Sequence, residues 1–458
     1  MIVGKEYKDK FLPHWEKWKR VTFRGYNYGG IIANELSHLH HIDGNGKKYN
    51  LAGELKFLLK SLFYKNLNLP VSVTNISGNA SCSNTIGFVM DDDNRGDYLK
   101  QCEFVLNQLN DYKIRVFTVV KDVKLKKRFA FGSSINKLII VVKVLSNVSV
   151  KKSFKSQSLS KNINLLAKCL FYYDVIENIK LNKLLDNVDL LIAFSDMKQY
   201  GNIFVQSAKI QGIVTGTLQH GIYIRHKDDQ YSQSAINYLN SPADYLLGWG
   251  ESIVNVFNVD GQTVKKVLLS GSSVKDYQID DYYTTMDQTR LPSNKFVVLF
   301  SRSTLRQSNA DMLRISQIVA SETGYRFDVL MHPTNKMEHY EFDKCTNLNK
   351  IYQDSSLLLK LIDDSDFCIC HSTTVYFTSL LKHKACFRYE DKYFIDYGGL
   401  NDKFSDEKEL LNKITESAHS LENDKKKQVE MLLKHQFGNI EYSYKKSIQT
   451  LLNQAVKS

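Results

Sequence analysis

The chain has 458 residues, of which 43% are hydrophobic and 24% are charged, and this composition excludes a fibrous or disordered protein. Single cores stop growing at about 250–300 residues, so the length predicts two domains with a ligand cleft between them. The formal net charge is +12, an excess that favours anionic partners such as phosphorylated metabolites, anionic lipid or nucleic acid, although it also serves solubility alone.

Composition also gives expectations about the cell compartment. No apolar stretch approaches the roughly 20 residues of a membrane span, and residues 1–20 lack the apolar core of a signal peptide. Seven scattered cysteines do not suggest a disulfide framework. Cys368, Cys370 and His371 form a C-x-C-H run, but no second ligand pair lies nearby in the sequence, so we interpret these cysteines as structural. We therefore expect a cytoplasmic protein.

In chain order, residues 1–85 are mixed, with helical spacing in GELKFLLKSLFYKNL (53–67). A β-α-β unit follows, with strands at 85–90 and 113–120 around an amphipathic helix at 97–111. Further apolar strands are predicted at KLIIVVKVL (137–145), VDLLIAFS (188–195) and GIVTGTLQ (212–219), with helices near 161–185 and 200–211. Strands this apolar are usually covered on both faces, which predicts a parallel sheet between helices.

Residues 226–290 are less regular, with short strands among Gly and Ser. The alternation returns with predicted strands at 295–303, 325–333, 365–372 and 385–390, and helices near 308–322, 374–382 and across 405–457. We therefore predict an α/β protein with two Rossmann-like domains facing a central cleft. Their predicted bounds are an N-terminal domain at 1–225 that includes an irregular segment, a connecting region at 226–290, and a C-terminal domain at 291–458.

Ligands of open parallel sheets bind beyond the carboxyl ends of the strands. At the end of the first half the chain reads Gln219, His220, Gly221, with Arg225 and Lys227 nearby. Glycine permits a turn that other residues resist, and histidine titrates near neutrality. The histidine could take a proton from a hydroxyl nucleophile, donate a hydrogen bond to a phosphate, or simply pack in the turn.

Three strand ends of the second half carry polar residues. His332 precedes a proline, which restricts it to extended conformations and directs its ring out of the sheet edge. Arg302 and Ser303 follow another strand, and an arginine fork fits phosphate oxygens, although a surface salt bridge is an alternative. Ser372 and Thr373 precede a helix, where they could either bind phosphate at the helix N-terminus or act as plain caps.

A family resemblance rests on five short motifs. They are QHG (219–221), LLGWGES (246–252), LLSGSSVKDY (268–277), MHP (331–333) and CHSTTVYFTSLL (370–381). In this order, over about 185–395, they resemble bacterial surface-polysaccharide (capsule and O-antigen) glycosyltransferases of the two-Rossmann GT-B type, a group that is similar to polysialyltransferases, capsule polymerases and teichoic acid glycerophosphotransferases. The first 85 residues match no pattern of this group.

The resemblance implies roles for individual residues. The histidine of the H-G turn is the base or acceptor-activating group, which falls on His220. The H-P histidine and the hydroxyl residues before the late helix contact the donor phosphate, which falls on His332, Ser372 and Thr373. The first domain would then receive a glycan or lipid-linked glycan acceptor, and the second a CMP-, UDP-, GDP- or CDP-linked sugar. Direct displacement would invert the anomeric centre, although retaining enzymes share this architecture.

Two sequence features raise the alternative of a metal site. VMDDDNRG (89–96) ends a strand in three aspartates, and carboxylates suit the divalent cations that hold diphosphates in another glycosyltransferase class. We favour a solvated loop or an acceptor-side carboxylate, with Asp92 as second choice for the base. HLHHID (38–43) is rich in histidine, but neighbouring residues rarely converge on one ion. We expect neither a metal nor another cofactor.

Other functional classes stay open. A sugar-nucleotide epimerase would use the same fold, and the 12% aromatic content with the positive charge also permits nucleic-acid binding. No zinc finger, recognition helix or RNP-like strand is evident, so we expect no nucleic-acid partner. KDVKLKKR (121–128) is strongly basic and suggests peripheral attachment to anionic lipid at the inner membrane face.

Overall fold

The computed structural model describes residues 5–41, 50–66, 71–77, 83–91, 96–120, 127–129, 131–147, 156–223, 236–259, 262–263, 265–273, 293–371, 373–394, 396, 400–419, 422–439 and 441–455. The chain divides into two compact units, Met1–Ser273 with Gly438–Ser458, and Val274–Phe437. No helix among the described residues is long and apolar enough to cross a membrane.

The strands of the first unit are β1 (Thr22–Phe23), β2 (Tyr26–Asn27), β3 (Tyr64–Asn66), β4 (Val71–Ser77), β5 (Thr85–Asp91), β6 (Lys113–Val119), β7 (Lys127–Phe129), β8 (Leu190–Ala193), β9 (Val214–Leu218), β10 (Tyr245–Gly248), β11 (Asn258–Val259), β12 (Gln262–Thr263) and β13 (Lys266–Leu269). Its helices up to this point are α1 (Lys5–Lys19), α2 (Tyr28–Ile31), α3 (Ala33–His41), α4 (Leu51–Phe63), α5 (Gly96–Asn107), α6 (Phe131–Asn147), α7 (Ser156–Leu181), α8 (Gln199–Ile210), α9 (Ile236–Leu239) and α10 (Ser252–Phe257).

The second unit contains β14 (Lys295–Leu299), β15 (Arg326–Leu330), β16 (Leu348–Tyr352), β17 (Phe367–Cys370), β18 (Ala385–Tyr389) and β19 (Lys403–Phe404). Its helices are α11 (Arg306–Thr323), α12 (Leu358–Asp363), α13 (Val375–Leu381), α14 (Glu407–His419) and α15 (Glu422–Phe437). The last helix, α16 (Tyr444–Ala455), returns to the first unit.

Both sheets have Rossmann-like strand orders. The six strands of the second unit are all parallel in the order β16-β15-β14-β17-β18-β19, which in chain numbering is the 3-2-1-4-5-6 order of dinucleotide-binding folds. The first sheet runs β13-β10-β9-β8-β5-β6-β4, parallel except for β4, which pairs antiparallel with β6 at the edge. The prediction of an α/β protein with two Rossmann-like domains is therefore confirmed.

Strand β8 shows why the first sheet is buried on both faces. Successive side chains of a strand point to opposite faces. Leu190 and Ile192 accordingly join one apolar cluster with Leu451 of α16, whereas Leu191 and Ala193 join another with residues of α8. Because helices cover both faces, the strand needs apolar residues at every position, as its sequence has.

The segment KLIIVVKVL (137–145) is helical, so its prediction as a strand is wrong. Its β-branched residues favour a strand by propensity. Among the α6 positions whose burial is described, the buried ones are Ser134, Lys137, Ile140 and Val144, which repeat every three or four residues. Two of these four are polar, so hydrophobicity alone hid the helical period. Lys137 is held by an ion pair of 2.9 Å with Asp174 of α7.

The unit boundaries also differ from the predicted domain bounds. The region at 226–290 contributes β10 and β13 to the first sheet, and both strands are too short to stand out in the sequence. α16 packs against the first sheet, where Ile448 and Leu451 are fully buried, although the sequence analysis assigned the terminal helices to the C-terminal domain. Its apolar stripe is compatible with either sheet, so the sequence could not decide the partner.

Candidate functional site

The strand order of the second unit identifies one edge of its sheet as the candidate site. Chain connections leave β14 toward β15 on one side, and β17 lies on the other side, so the topological switch point lies between β14 and β17. Ligands of such sheets bind beyond the carboxyl ends of the strands at this point. Three loops lie at this carboxyl edge of the sheet. They follow β14 with Arg302 and Ser303, β15 with His332, and β17 with His371.

Hydrogen bonds join the loops after β14 and β15. The Ser303 backbone N–H donates to Thr334 Oγ1 at 3.0 Å, and Asn335 Nδ2 donates to the Ser301 carbonyl at 2.8 Å. The Asn309 side chain of α11 also holds the loop after β14, since it accepts a hydrogen bond from the Ser301 N–H and donates one to the Ser301 carbonyl. The structure therefore brings together the two loops that carry the predicted residues Arg302, Ser303 and His332.

The contacts of His332 define its tautomer. The Thr334 backbone N–H donates to His332 Nδ1 at 3.2 Å, and Thr334 Oγ1 lies 3.0 Å from the same nitrogen. A backbone N–H can only donate, so Nδ1 accepts and the neutral ring carries its proton on Nε2. The neutral imidazole, which is half-buried, therefore has its N–H donor at Nε2.

Arg302 is exposed at the carboxyl end of β14, the central strand of the sheet. In the described part of the chain, no carboxylate lies within ion-pair distance of its guanidinium. The alternative of a surface salt bridge thus has no support among these residues. α11 begins four residues later, with neither an acidic residue nor a side-chain cap in its first turn.

His371 and Asp391 form a hydrogen-bonded pair beside the candidate site, which the sequence did not predict. His371 is fully buried directly after β17, and its Nε2–H donates to Asp391 Oδ1 at 2.9 Å. The Ser308 hydroxyl of α11 donates to the other carboxylate oxygen. Burial favours a higher pKa for Asp391, but the hydrogen bonds from His371 and Ser308 outweigh it and lower the pKa. The position of His371 at the end of a strand could have indicated this pair. The C-x-C-H pattern instead suggested a metal site.

The loop after β17 was predicted to carry the hydroxyl residues Ser372 and Thr373. Ser372 lies outside the described residues. Thr373 is half-buried, and its carbonyl accepts the Tyr376 N–H of the first turn of α13. α13 has seven residues, and its N-cap Thr374 makes no side-chain capping hydrogen bond. The plain-cap alternative is thus not realised by Thr374, and the phosphate role of Thr373 stays a prediction.

In the first unit, Gln219 fixes the turn after β9. Its backbone N–H donates to the Leu247 carbonyl at 3.0 Å, and its Oε1 accepts the Trp249 N–H at 2.8 Å. Its Nε2 donates to the Gly221 carbonyl at 3.0 Å. Gln219 is fully buried, so it holds the turn and the neighbouring strand together rather than facing a ligand.

The ring of His220 is half-buried in an aromatic pocket. Its Nδ1 lies 2.8 Å from the Tyr223 hydroxyl, and the rings of Phe194 and Tyr98 lie 5.5 and 6.1 Å from its centroid. Burial and the charge of Asp196 raise the pKa of Tyr223 well above its usual value, so this hydroxyl stays protonated. When Nδ1–H donates to the Tyr223 oxygen, Nε2 keeps a lone pair that can accept a proton.

Gly221 is not required by the backbone. Its φ lies outside the left-handed region, and a Cβ added there would meet no atom within 4 Å among the described residues. The reasoning that a glycine makes this turn possible is therefore wrong in detail. Among the described residues, no side chain or backbone atom occupies the space where a Cβ of residue 221 would lie.

Asp196, after β8, is a third residue that was not predicted from the sequence. It is buried, and Oδ2 accepts from the Ser241 hydroxyl at 2.7 Å and from the Ala243 N–H at 2.9 Å. Lys265 lies 3.5 Å away, and burial lowers the pKa of this lysine although Asp196 opposes the shift. All its partners are structural, so Asp196 stabilises the loops around the His220 turn.

Several predicted residues lie outside the described part of the chain or cannot be described in full. Asp92 and Arg225 are outside it, and the side chains of the histidines at 38–41 are not described. No group of three His, Cys, Asp or Glu side chains among the described residues could hold a metal ion. Cys370 Sγ lies 3.5 Å from Cys386 Sγ, and both cysteines are free and buried, as structural cysteines are.

Comparisons with known proteins found matches among solved structures alone. No family model and no curated protein matches the chain. Among solved structures, the S. aureus MnaA–UDP complex matches with 12% identity and a TM-score of 0.48, over 82% of this chain and 97% of that one. The UDP-GlcNAc 2-epimerase of Methanocaldococcus jannaschii matches with 12% identity and a TM-score of 0.46, over 81% and 99%. The α,α-trehalose 6-phosphate synthase of Burkholderia multivorans matches with 10% identity and a TM-score of 0.46, over 82% and 99%. Similarity at this level assigns neither a substrate nor a reaction to the chain.

Proposed function

We propose that this protein is a glycosyltransferase that moves a sugar from a nucleotide-activated donor to a growing bacterial surface polysaccharide. One observation carries the proposal. The loops after β14 and β15, at the carboxyl edge of a six-stranded Rossmann-like sheet whose switch point lies beside β14, present an arginine and an N–H-donating histidine together. Cationic and N–H donors at this edge suit the phosphates of a nucleotide.

In this proposal the donor phosphate binds at the loops after β14, β15 and β17. His332 donates from Nε2, Arg302 supplies the charge, and the Ser303 and Thr373 hydroxyls, with that of Ser372, complete the contacts. Departure of a nucleotide leaving group develops negative charge on the phosphate oxygens. Donors that are already fixed toward those oxygens stabilise the transition state without reorganisation.

The acceptor role falls on the first unit. His220 removes the proton of the acceptor hydroxyl through Nε2, while Tyr223 orients the ring through Nδ1. Asp92 is the alternative base. Gln219 holds the turn, Gly221 leaves room for the acceptor, and Arg225 contributes positive charge beside it. The hydroxyl then displaces the nucleotide directly, which inverts the anomeric centre.

The proposed reaction uses no metal, and the protein works in the cytoplasm, at or near the inner membrane face where lipid-linked acceptors are extended. The net charge of +12 supports anionic partners of this kind. The proposed donor is CMP-, UDP-, GDP- or CDP-linked.

The test is acceptor dependence. The full chain is first screened for thermal stabilisation by a nucleotide-sugar panel, because a ligand at 100 times its dissociation constant adds about 2.7 kcal/mol. The stabilising donor is then incubated with and without oligosaccharide acceptors, and the products are analysed by mass spectrometry. We expect an acceptor extended by one sugar. Conversion of the donor without acceptor would identify an epimerase. Salt-sensitive oligonucleotide binding, with no donor bound, would identify a nucleic-acid-binding protein.

A further inference from the structure

Two neighbouring helices of the first unit expose an unusual amount of apolar surface. Among the described residues, nine of nineteen exposed large hydrophobic side chains lie on α4 and α6. On α4 they are Leu51, Leu55, Leu59 and Phe63, and on α6 they are Ile135, Leu138, Ile139, Val142 and Leu145. We call these nine residues the apolar face. Monomeric proteins rarely expose contiguous apolar patches of this kind unless something covers them.

The apolar face follows from helical spacing. The four residues of α4 recur every fourth position, so they form one stripe, while Leu58 and Leu62 pack inward against the core. On α6 the inward positions include the polar Ser134 and the buried Lys137. Both helices therefore direct much of their apolar content away from the protein, which is the reverse of the usual pattern.

The two helices are tied together at the end of α4. Lys137 Nζ donates to the carbonyls of Ser61 and Tyr64 at 2.7 and 2.9 Å, and the Ser134 hydroxyl donates to the Leu62 carbonyl at 3.1 Å. Strand β3, directly after α4, pairs antiparallel with β7, directly before α6. The end of α4 is thereby fixed against the first half of α6.

The charges around the apolar face are basic. Lys56 and Lys60 lie exposed on α4, and Lys143 lies half-exposed on α6. The two helices contain a single acidic residue, Glu54, which accepts a hydrogen bond from Asn164 at 2.7 Å. Of the basic segment KDVKLKKR, residues 121–126 lie outside the described part of the chain.

We infer that the apolar face is a docking surface for an anionic lipid bilayer. Helices that lie in a membrane interface combine large apolar side chains with flanking lysines, because the former enter the acyl region and the latter pair with lipid phosphates. A second copy of the chain fits less well. It would bring the same lysines together without counter-charges, and lysine is depleted in the cores of protein interfaces.

The inference is tested by sedimentation of the full chain with phosphatidylcholine vesicles, with and without phosphatidylglycerol. The main variant is Leu59→Glu/Val142→Glu, because these side chains are 54% and 63% exposed and their replacement leaves the core intact. The matched control is Leu181→Glu/Met431→Glu, with exposures of 65% and 63% on α7 and α15. Lys56→Ala/Lys60→Ala tests the charges. Sedimentation velocity without lipid records the oligomeric state of each variant.

We expect the wild type and the control to bind the anionic vesicles, and the main variant to bind at least about tenfold more weakly. The lysine variant should lose about fivefold per lysine at low salt. Equal binding by the main variant and the control would overturn the inference. A second result would also overturn it: the wild type is an oligomer, the main variant is a monomer, and neither of the two proteins binds vesicles. That result would assign the apolar face to a second copy of the chain. Because vesicle binding needs no sugar donor, the result is independent of the proposed reaction.

Discussion

Replacement of His332 by alanine tests the donor site most sharply within the second unit. The ring donates only through Nε2, because Nδ1 accepts the Thr334 N–H. His332→Ala therefore removes one hydrogen bond to a phosphate and leaves the loop hydrogen bonds of Ser303 and Asn335 in place. The substitution also removes the contacts of Nδ1 with the Thr334 N–H and hydroxyl.

The expected loss of nucleotide affinity follows from the negative charge of the phosphate that accepts this hydrogen bond. Hydrogen bonds to charged groups contribute about 1.5–3 kcal/mol. At about 1.4 kcal/mol per factor of ten, the dissociation constant of the nucleotide should rise about 10- to 150-fold. The free energy of unfolding of the variant should stay close to that of the wild type, because the half-buried ring lies at the sheet edge and not in the core.

The assay is isothermal titration of the full chain with the nucleotide that the thermal screen identifies. The control is His435→Ala, which truncates an exposed histidine on α15 of the same unit. The control should bind the nucleotide like the wild type. If His332→Ala binds within about threefold of the wild type while remaining folded, His332 does not contact the phosphate and the proposed site is wrong.

Four further predictions concern both units. His220→Ala should lower turnover about 10²- to 10⁴-fold and leave nucleotide affinity within about threefold, as titration and initial rates will show; near-normal turnover would exclude His220 as the base. Gly221→Ala should fold normally, because its Cβ meets no described atom, yet reduce the acceptor-dependent rate, and an unchanged rate would mean that no acceptor approaches there. EDTA should not lower activity; loss that manganese or magnesium restores would instead point to a metal-dependent reaction. Asp391→Asn should lower the free energy of unfolding at pH 7 by about 1–3 kcal/mol through weaker bonds to His371 and Ser308. The pKa of Asp391 in the folded protein lies below its usual 3.8, so this stabilisation is complete above pH 3.8 and is lost as the pH falls through the folded pKa. Urea denaturation should therefore show that the free energies of unfolding of the wild type and the variant differ less in acid.

The alternation of apolar strands and helices was enough to predict the two sheets, because strands buried on both faces have continuous apolar sequences such as those of β8 and β14. It was misleading for α6, where β-branched residues suggested a strand. The buried positions of α6 include Ser134 and Lys137, and only tertiary partners such as Asp174 make those positions interior. Burial of a lysine is decided by a residue that is distant in sequence.

The candidate site likewise has some residues that the sequence predicts and others that it does not. Strand ends drew attention to His332 and Arg302, because each follows an apolar run directly, and the structure brings their loops together. Asp391 could not be predicted, since its role depends on hydrogen bonds to His371 and Ser308 from two other elements. The tautomer of His332 depends likewise on a backbone N–H that no sequence pattern reveals.

The central claim is that a nucleotide sugar binds at the carboxyl edge of the second sheet. Hydrogen–deuterium exchange of the full chain, with and without the stabilising nucleotide sugar, tests it directly. The account predicts protection of the loops at 300–304, 331–335 and 371–374, and its loss in His332→Ala. Protection confined to other parts of the chain, with these three loops unchanged, would contradict it.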